Sequence, residues 1–93
     1  MRLTPQQRHA IRQCVAACDA SAEVLLFGSR LDDARRGGDI DLLIRSRKID
    51  FKARLRLKLD LMDALGPQKI DLAVDNGRPS AFLNLINQQA RPL

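Results

Sequence analysis

The sequence predicts an α+β fold (α/β mixed): a small three-stranded mixed sheet flanked by helices. Three observations carry this. Three apolar runs are too short for helices and long enough for strands. The segments between and around them have helical spacing, with caps and Gly or Pro at their ends. Aspartates stand at the starts of the second and third runs, which constrains how the strands run if those residues serve one site. The 93 residues make one domain, 1–93, with no room for a separate substrate domain.

The first segment, LTPQQRHAIRQCVAACDA, opens with a helix start signal. Thr4 is a cap, Pro5 suits the first helical position, and Gln7 stands three residues on, as in a capping box. Ile11, Cys14, Val15 and Cys18 follow at helical spacing, so a helix is expected from about Pro5 to Ala20. EVLLF, Glu23–Phe27, reads as a buried strand ended by Gly28, and LDDARR after it as a short helix. Gly37-Gly38 breaks the chain before a second strand, Asp39–Arg45.

FKARLRLKLDLMDALG has two readings. Leu55, Leu57, Leu59 and Leu61 alternate with Arg and Lys, a strand pattern. Phe51, Leu55, Leu59, Met62 and Leu65 fit one helical face. Length, the lack of β-branched residues and a closing Gly66-Pro67 favour a helix, with Arg54 and Lys58 snorkelling beside the apolar stripe. QKIDLAV is the third strand, DNGRP a loop, and SAFLNLINQQA a final helix capped by Ser80, with Phe82, Leu83, Leu85 and Ile86 available for packing.

Gly28-Ser29 ends the first strand, whereas Asp39 and Asp41 begin the second, so the two meet only if these strands are antiparallel. Asp71 begins the third strand and joins Asp39 and Asp41 only if that strand is parallel to the second. A parallel neighbour needs a long crossover, and Phe51–Leu65 supplies it.

The balance is basic, 16 Lys+Arg against 11 Asp+Glu, which suits a polyanionic partner such as a nucleotide, a nucleic acid or an acidic protein. Three Phe with no Tyr or Trp count against single-strand nucleic-acid binding. No apolar run reaches membrane-spanning length, and MRLTPQQRHAIRQ lacks the apolar core of a signal peptide, so a cytoplasmic protein is expected. Cys14 and Cys18 read as small core residues in a reducing compartment, at a helical spacing unsuited to a disulfide. His9 does not share their face.

In a strand, residues i and i+2 point the same way, so Asp39 and Asp41 place two carboxylates side by side while Ile40 and Leu42 face the core. Like charges this close are unfavourable unless a cation neutralises them. Hard divalent ions, Mg²⁺ or Mn²⁺, prefer such ligands. With Asp71 as a third carboxylate the set could hold two ions about 3.5–4 Å apart. Gly28-Ser29 would let phosphate approach the backbone, and Arg30, with Arg35 or Arg36 as further candidates, would offset phosphate charge. Asp75 shares a strand face with Asp71 by parity, and spacing alone leaves it as an alternative third carboxylate, although its place beside Asn76-Gly77 reads better as turn chemistry. Asp32, Asp33, Asp60 and Asp63 read as solvated helix faces. The basic run RSRKIDFKARLRLK reads as a solvated face or a docking surface for an acidic partner.

LFGSRLDDARRGGDIDLLI followed by KIDLAV resembles the minimal nucleotidyltransferases (MNT) of the polymerase-beta-like nucleotidyltransferase superfamily. The resemblance spans Glu23 to Val74, with one residue fewer than usual between Ser29 and Asp39. It implies the polymerase-beta-like fold, phosphate binding by Gly28 and Ser29, and metal binding by Asp39, Asp41 and Asp71. It also implies ATP or another nucleoside triphosphate as substrate. Many family members this short pair with an all-helical HEPN-domain toxin, as antitoxins, some of which adenylylate a tyrosine of that toxin.

The expected function is therefore metal-dependent transfer of a nucleoside monophosphate, AMP from ATP, to a hydroxyl of a partner protein. One rival is a catalytically silent module that neutralises a toxin by covering it. The other is a basic nucleic-acid-binding protein, which predicts steep salt dependence.

Overall fold

A computed structural model describes residues 3–28, 39–66 and 68–93. Helix α1 spans Pro5–Cys18, strand β1 Glu23–Phe27, β2 Ile40–Arg45, α2 Phe51–Leu65, β3 Ile70–Asp75, α3 Ala81–Gln89 and β4 Arg91–Pro92. The capping box is formed: the Thr4 hydroxyl accepts from the Gln7 amide at 3.1 Å, and the Gln7 side chain accepts from the Thr4 amide at 2.9 Å. Asp50 and Ser80 cap α2 and α3 in the same way, accepting from the amides of Ala53 and Leu83. The short helix expected at LDDARR lies outside the described residues.

Among the described residues the sheet has four strands, in the order β3-β2-β1-β4, rather than the expected three. Strands β1 and β2 are antiparallel, with Phe27 opposite Asp41. Strands β2 and β3 are parallel, with Asp41 beside Asp71, and α2 makes the crossover. The added strand pairs Arg91 and Pro92 with Leu26 and Leu25 of β1. It is two residues long and contains a proline, which sheets accept at an edge. It therefore carries none of the alternation that marks a strand in sequence.

The alternate residues of β2 feed two cores. Ile40, Leu42 and Ile44 pack with Leu26, Ile70, Ile11 and Val15 of α1, and Leu57 and Leu61 of α2. On the other face, Leu43 packs with Leu25 and with Ile86 of α3. Asp41, Asp71 and Gly28 lie on or beside this second face, at the edge of the smaller core. Cys14 and Cys18 are free thiols, half-buried against the larger core. Burial, and then the nearby Asp60 carboxylate, raises both thiol pKa values.

Helix α2 forms as expected but buries the other leucine set. Leu57 and Leu61 are wholly buried, and Ala53 and Leu65 pack beside them. Phe51, Leu55, Leu59 and Met62 face solvent. Arg54 sits between the two sets, its guanidinium 5.4 Å from the Phe51 ring centroid and in long contact with the Leu72 carbonyl at 3.5 Å. In α3, Ile86 is buried and Leu83 partly so, whereas Phe82 and Leu85 are exposed. No helix among the described residues is long and apolar enough to cross a membrane.

Candidate metal centre

Three carboxylates meet where β2 and β3 begin. Asp39, Asp41 and Asp71 each offer an oxygen, and these oxygens all lie within 4.8 Å of one another. The backbone dictates this meeting. The Ile40 amide donates to the Lys69 carbonyl at 3.0 Å and sets the parallel register. Asp41 then stands beside Asp71 on one face, and Asp39, two residues earlier, points the same way.

The three groups repel one another. Burial raises the Asp41 pKa above its ordinary 3.8, and the charges of Asp71 and Asp39 raise it further. A hydrogen bond with Asp71 acts in the same direction, and Lys69 opposes it. The Lys69 ammonium lies 3.5 Å from Asp39, on the solvent side. Among the described residues, one exposed lysine leaves this three-carboxylate set net negative. A partly desolvated donor set of carboxylate oxygens has the chemistry that a hard divalent cation prefers.

Gly28 closes the site from β1. Its φ is +76°, a left-handed conformation, and a Cβ placed there would run into the Asp41 carboxylate. Backbone shape and the close approach of Asp41 both require glycine. The phosphate-binding reading of Ser29 and Arg30, and the candidates Arg35 and Arg36, fall outside the described residues.

Asp75 does not join the cluster. It lies four residues along β3, roughly 13 Å away by strand rise, and its carboxylate accepts from the Gly77 amide at 2.9 Å and from Asn87 Nδ2 at 3.2 Å. The bond to Gly77 is the expected turn interaction. Asn87 in turn accepts from Arg45 at 2.7 and 3.1 Å, so this end of the sheet is internally satisfied.

Lys69 escaped the sequence reading. Its signal is visible once D-I-D-L of β2 is laid against K-I-D-L of β3: the register that joins Asp41 to Asp71 sets Lys69 opposite Asp39. No protein-family model matches the chain, and no curated protein sequence matches it either. The assignment of this site therefore rests on its geometry.

Proposed function

We propose that this chain is a metal-dependent nucleotidyltransferase that moves AMP from ATP to a hydroxyl on a partner protein. The observation that carries the reading is the convergence of Asp39, Asp41 and Asp71 at the starts of two parallel strands, with Gly28 against Asp41. Asp39, Asp41 and Asp71 would hold Mg²⁺ or Mn²⁺. The ion would supply positive charge to the phosphates and to the reacting hydroxyl.

The chain's own residues have separate tasks. Gly28 lacks the Cβ that would collide with the Asp41 carboxylate, and so lets that carboxylate sit against the end of β1. Ser29 and Arg30, next in the chain, are the proposed phosphate ligands. Lys69 holds Asp39 in place from outside. In the reaction, the acceptor oxygen attacks the α-phosphorus, the bond to the bridging oxygen breaks, and pyrophosphate leaves. The hydroxyl proton passes to the carboxylate cluster and then to water. A HEPN-type toxin is the proposed acceptor, and on this reading the chain is its antitoxin. The polymerase-beta-like fold and a cytoplasmic location belong to the same proposal.

The test combines the protein, ATP labelled at the α-phosphate, Mg²⁺ and the product of the neighbouring reading frame. Label should move covalently to the partner, and Asp39→Ala with Asp41→Ala should reduce transfer by at least about 10³-fold. Transfer that persists in the double variant overturns the site assignment. A tight complex without label overturns the enzymatic reading in favour of a binding module. Retention of RNA or DNA without either favours the nucleic-acid reading.

A further inference from the structure

The exposed side of α2 has a composition that solvent alone does not explain. Phe51 is 69 % exposed, Leu59 62 %, Leu55 45 % and Met62 43 %. They recur at i, i+4, i+8 and i+11, forming one ridge about 16 Å long. The opposite side of the same helix is pinned to the sheet by Leu57 and Leu61, so the ridge cannot turn inward without unpacking the core.

Charge is distributed unevenly along this helix. Lys52, Arg54, Arg56 and Lys58 fall within the first eight residues, and Asp60 and Asp63 in the last seven. Arg56 and Asp60 pair with each other at 3.5 Å. Arg54 is held over the Phe51 ring. Lys52 and Asp63 remain on one edge of the ridge, eleven residues apart.

We infer that α2 is the interface of a two-fold symmetric homodimer, with the α2 helices antiparallel. A two-fold axis through the middle of the ridge, near position 57, brings Phe51 to Met62 of the second copy and Leu55 to Leu59 of the second copy. It also brings Lys52 to Asp63 of the second copy, on the same edge, and the symmetry makes every contact twice. The ridge is thus self-complementary in both shape and charge. A surface of one sign, such as an anionic bilayer, matches only the basic half and meets Asp60 and Asp63 at the other. The axis generates one like-charge contact: Lys58, half-buried on the opposite edge, approaches Lys58 of the second copy. A single helix pair lies at the small end of stable interfaces, so a dissociation constant in the micromolar range is expected.

The test is sedimentation equilibrium of the full chain at about 0.15 M salt, where net-charge repulsion is screened. A monomer–dimer equilibrium is expected. Leu59→Glu should weaken it at least about 30-fold, because the change occurs twice in each dimer. Lys52→Asp alone should weaken it about 10-fold, and adding Asp63→Lys should restore it. Lys58→Ala should tighten it. The substituted residues are exposed or half-buried, and circular dichroism checks that each variant stays folded. A monomer at all concentrations, a dimer indifferent to Leu59→Glu, or a charge swap that fails to restore association overturns the proposal.

Discussion

The two ends of the central strands treat carboxylates in opposite ways. Where β2 and β3 begin, Asp39, Asp41 and Asp71 crowd together with one exposed lysine among the described residues, and the Asp41 pKa is pushed up, first by burial and then by its neighbours. Where they end, Asp19 is 5 % exposed and well satisfied. It accepts from the Ser46 hydroxyl at 2.6 Å, the Ser21 hydroxyl at 2.7 Å and the Ser21 amide at 3.0 Å. Those bonds, Ser46 first, pull its pKa below 3.8. The difference separates a carboxylate that holds the fold from one that awaits something. At the satisfied end the protein supplies every partner. At the other end it supplies repulsion, which a bound cation would relieve.

Substitutions can break this contrast from either side. The largest stability loss is expected at the satisfied end. The Ser46 hydroxyl donates to Asp19 and accepts from the amides of Lys48 and Ile49, both at 3.1 Å. Ser46→Ala removes the partner of Asp19 Oδ2 and of both amides, while Ser21 still serves Asp19 Oδ1, and should cost about 2 kcal/mol in urea unfolding, with divalent-ion affinity unchanged. A loss under about 0.5 kcal/mol would show that this network does not pin the fold.

Gly28→Ala comes next. The left-handed backbone costs about 1–2 kcal/mol for any other residue, and the added methyl displaces the Asp41 carboxylate. Ion affinity should fall together with stability, unlike the result at Ser46.

Asp41→Asn should do the reverse. Removing one of three like charges should stabilise the metal-free fold by about 0.5 kcal/mol after solvent screening, while ion binding is lost. Destabilisation of the metal-free protein would mean that Asp41 is not under repulsion.

The smallest effect is in pH dependence. As pH falls from neutrality through the raised pKa of Asp41, the folded state takes up a proton before the unfolded chain does, and stability rises. Asp19 has the opposite sign: its contribution is complete above 3.8 and is lost as pH falls through its lowered folded value. Urea midpoints across pH should show a shallow rise and then a drop, and Asp41→Asn should remove the rise alone.

Much of this architecture was legible in the sequence, because one demand governed it. Bringing Gly28, Asp39, Asp41 and Asp71 together required β1 antiparallel and β3 parallel to β2, and the chain runs so. The buried face of α2 was not legible. Its leucines form two ladders about 160° apart, both flanked by cations, and only the positions of the sheet and α1 select Leu57 and Leu61. Lys69 was hidden because its meaning depends on a register that local sequence does not encode. Strand β4 was hidden because two edge residues carry no periodicity.

The proposed chemistry requires the crowded end to hold an ion. Calorimetric titration of Mn²⁺ into the protein with a non-hydrolysable ATP analogue, repeated with Asp41→Asn, measures this directly. Saturable binding that disappears in the variant is the expected result. No binding to the unaltered protein, or equal binding to the variant, would contradict the account.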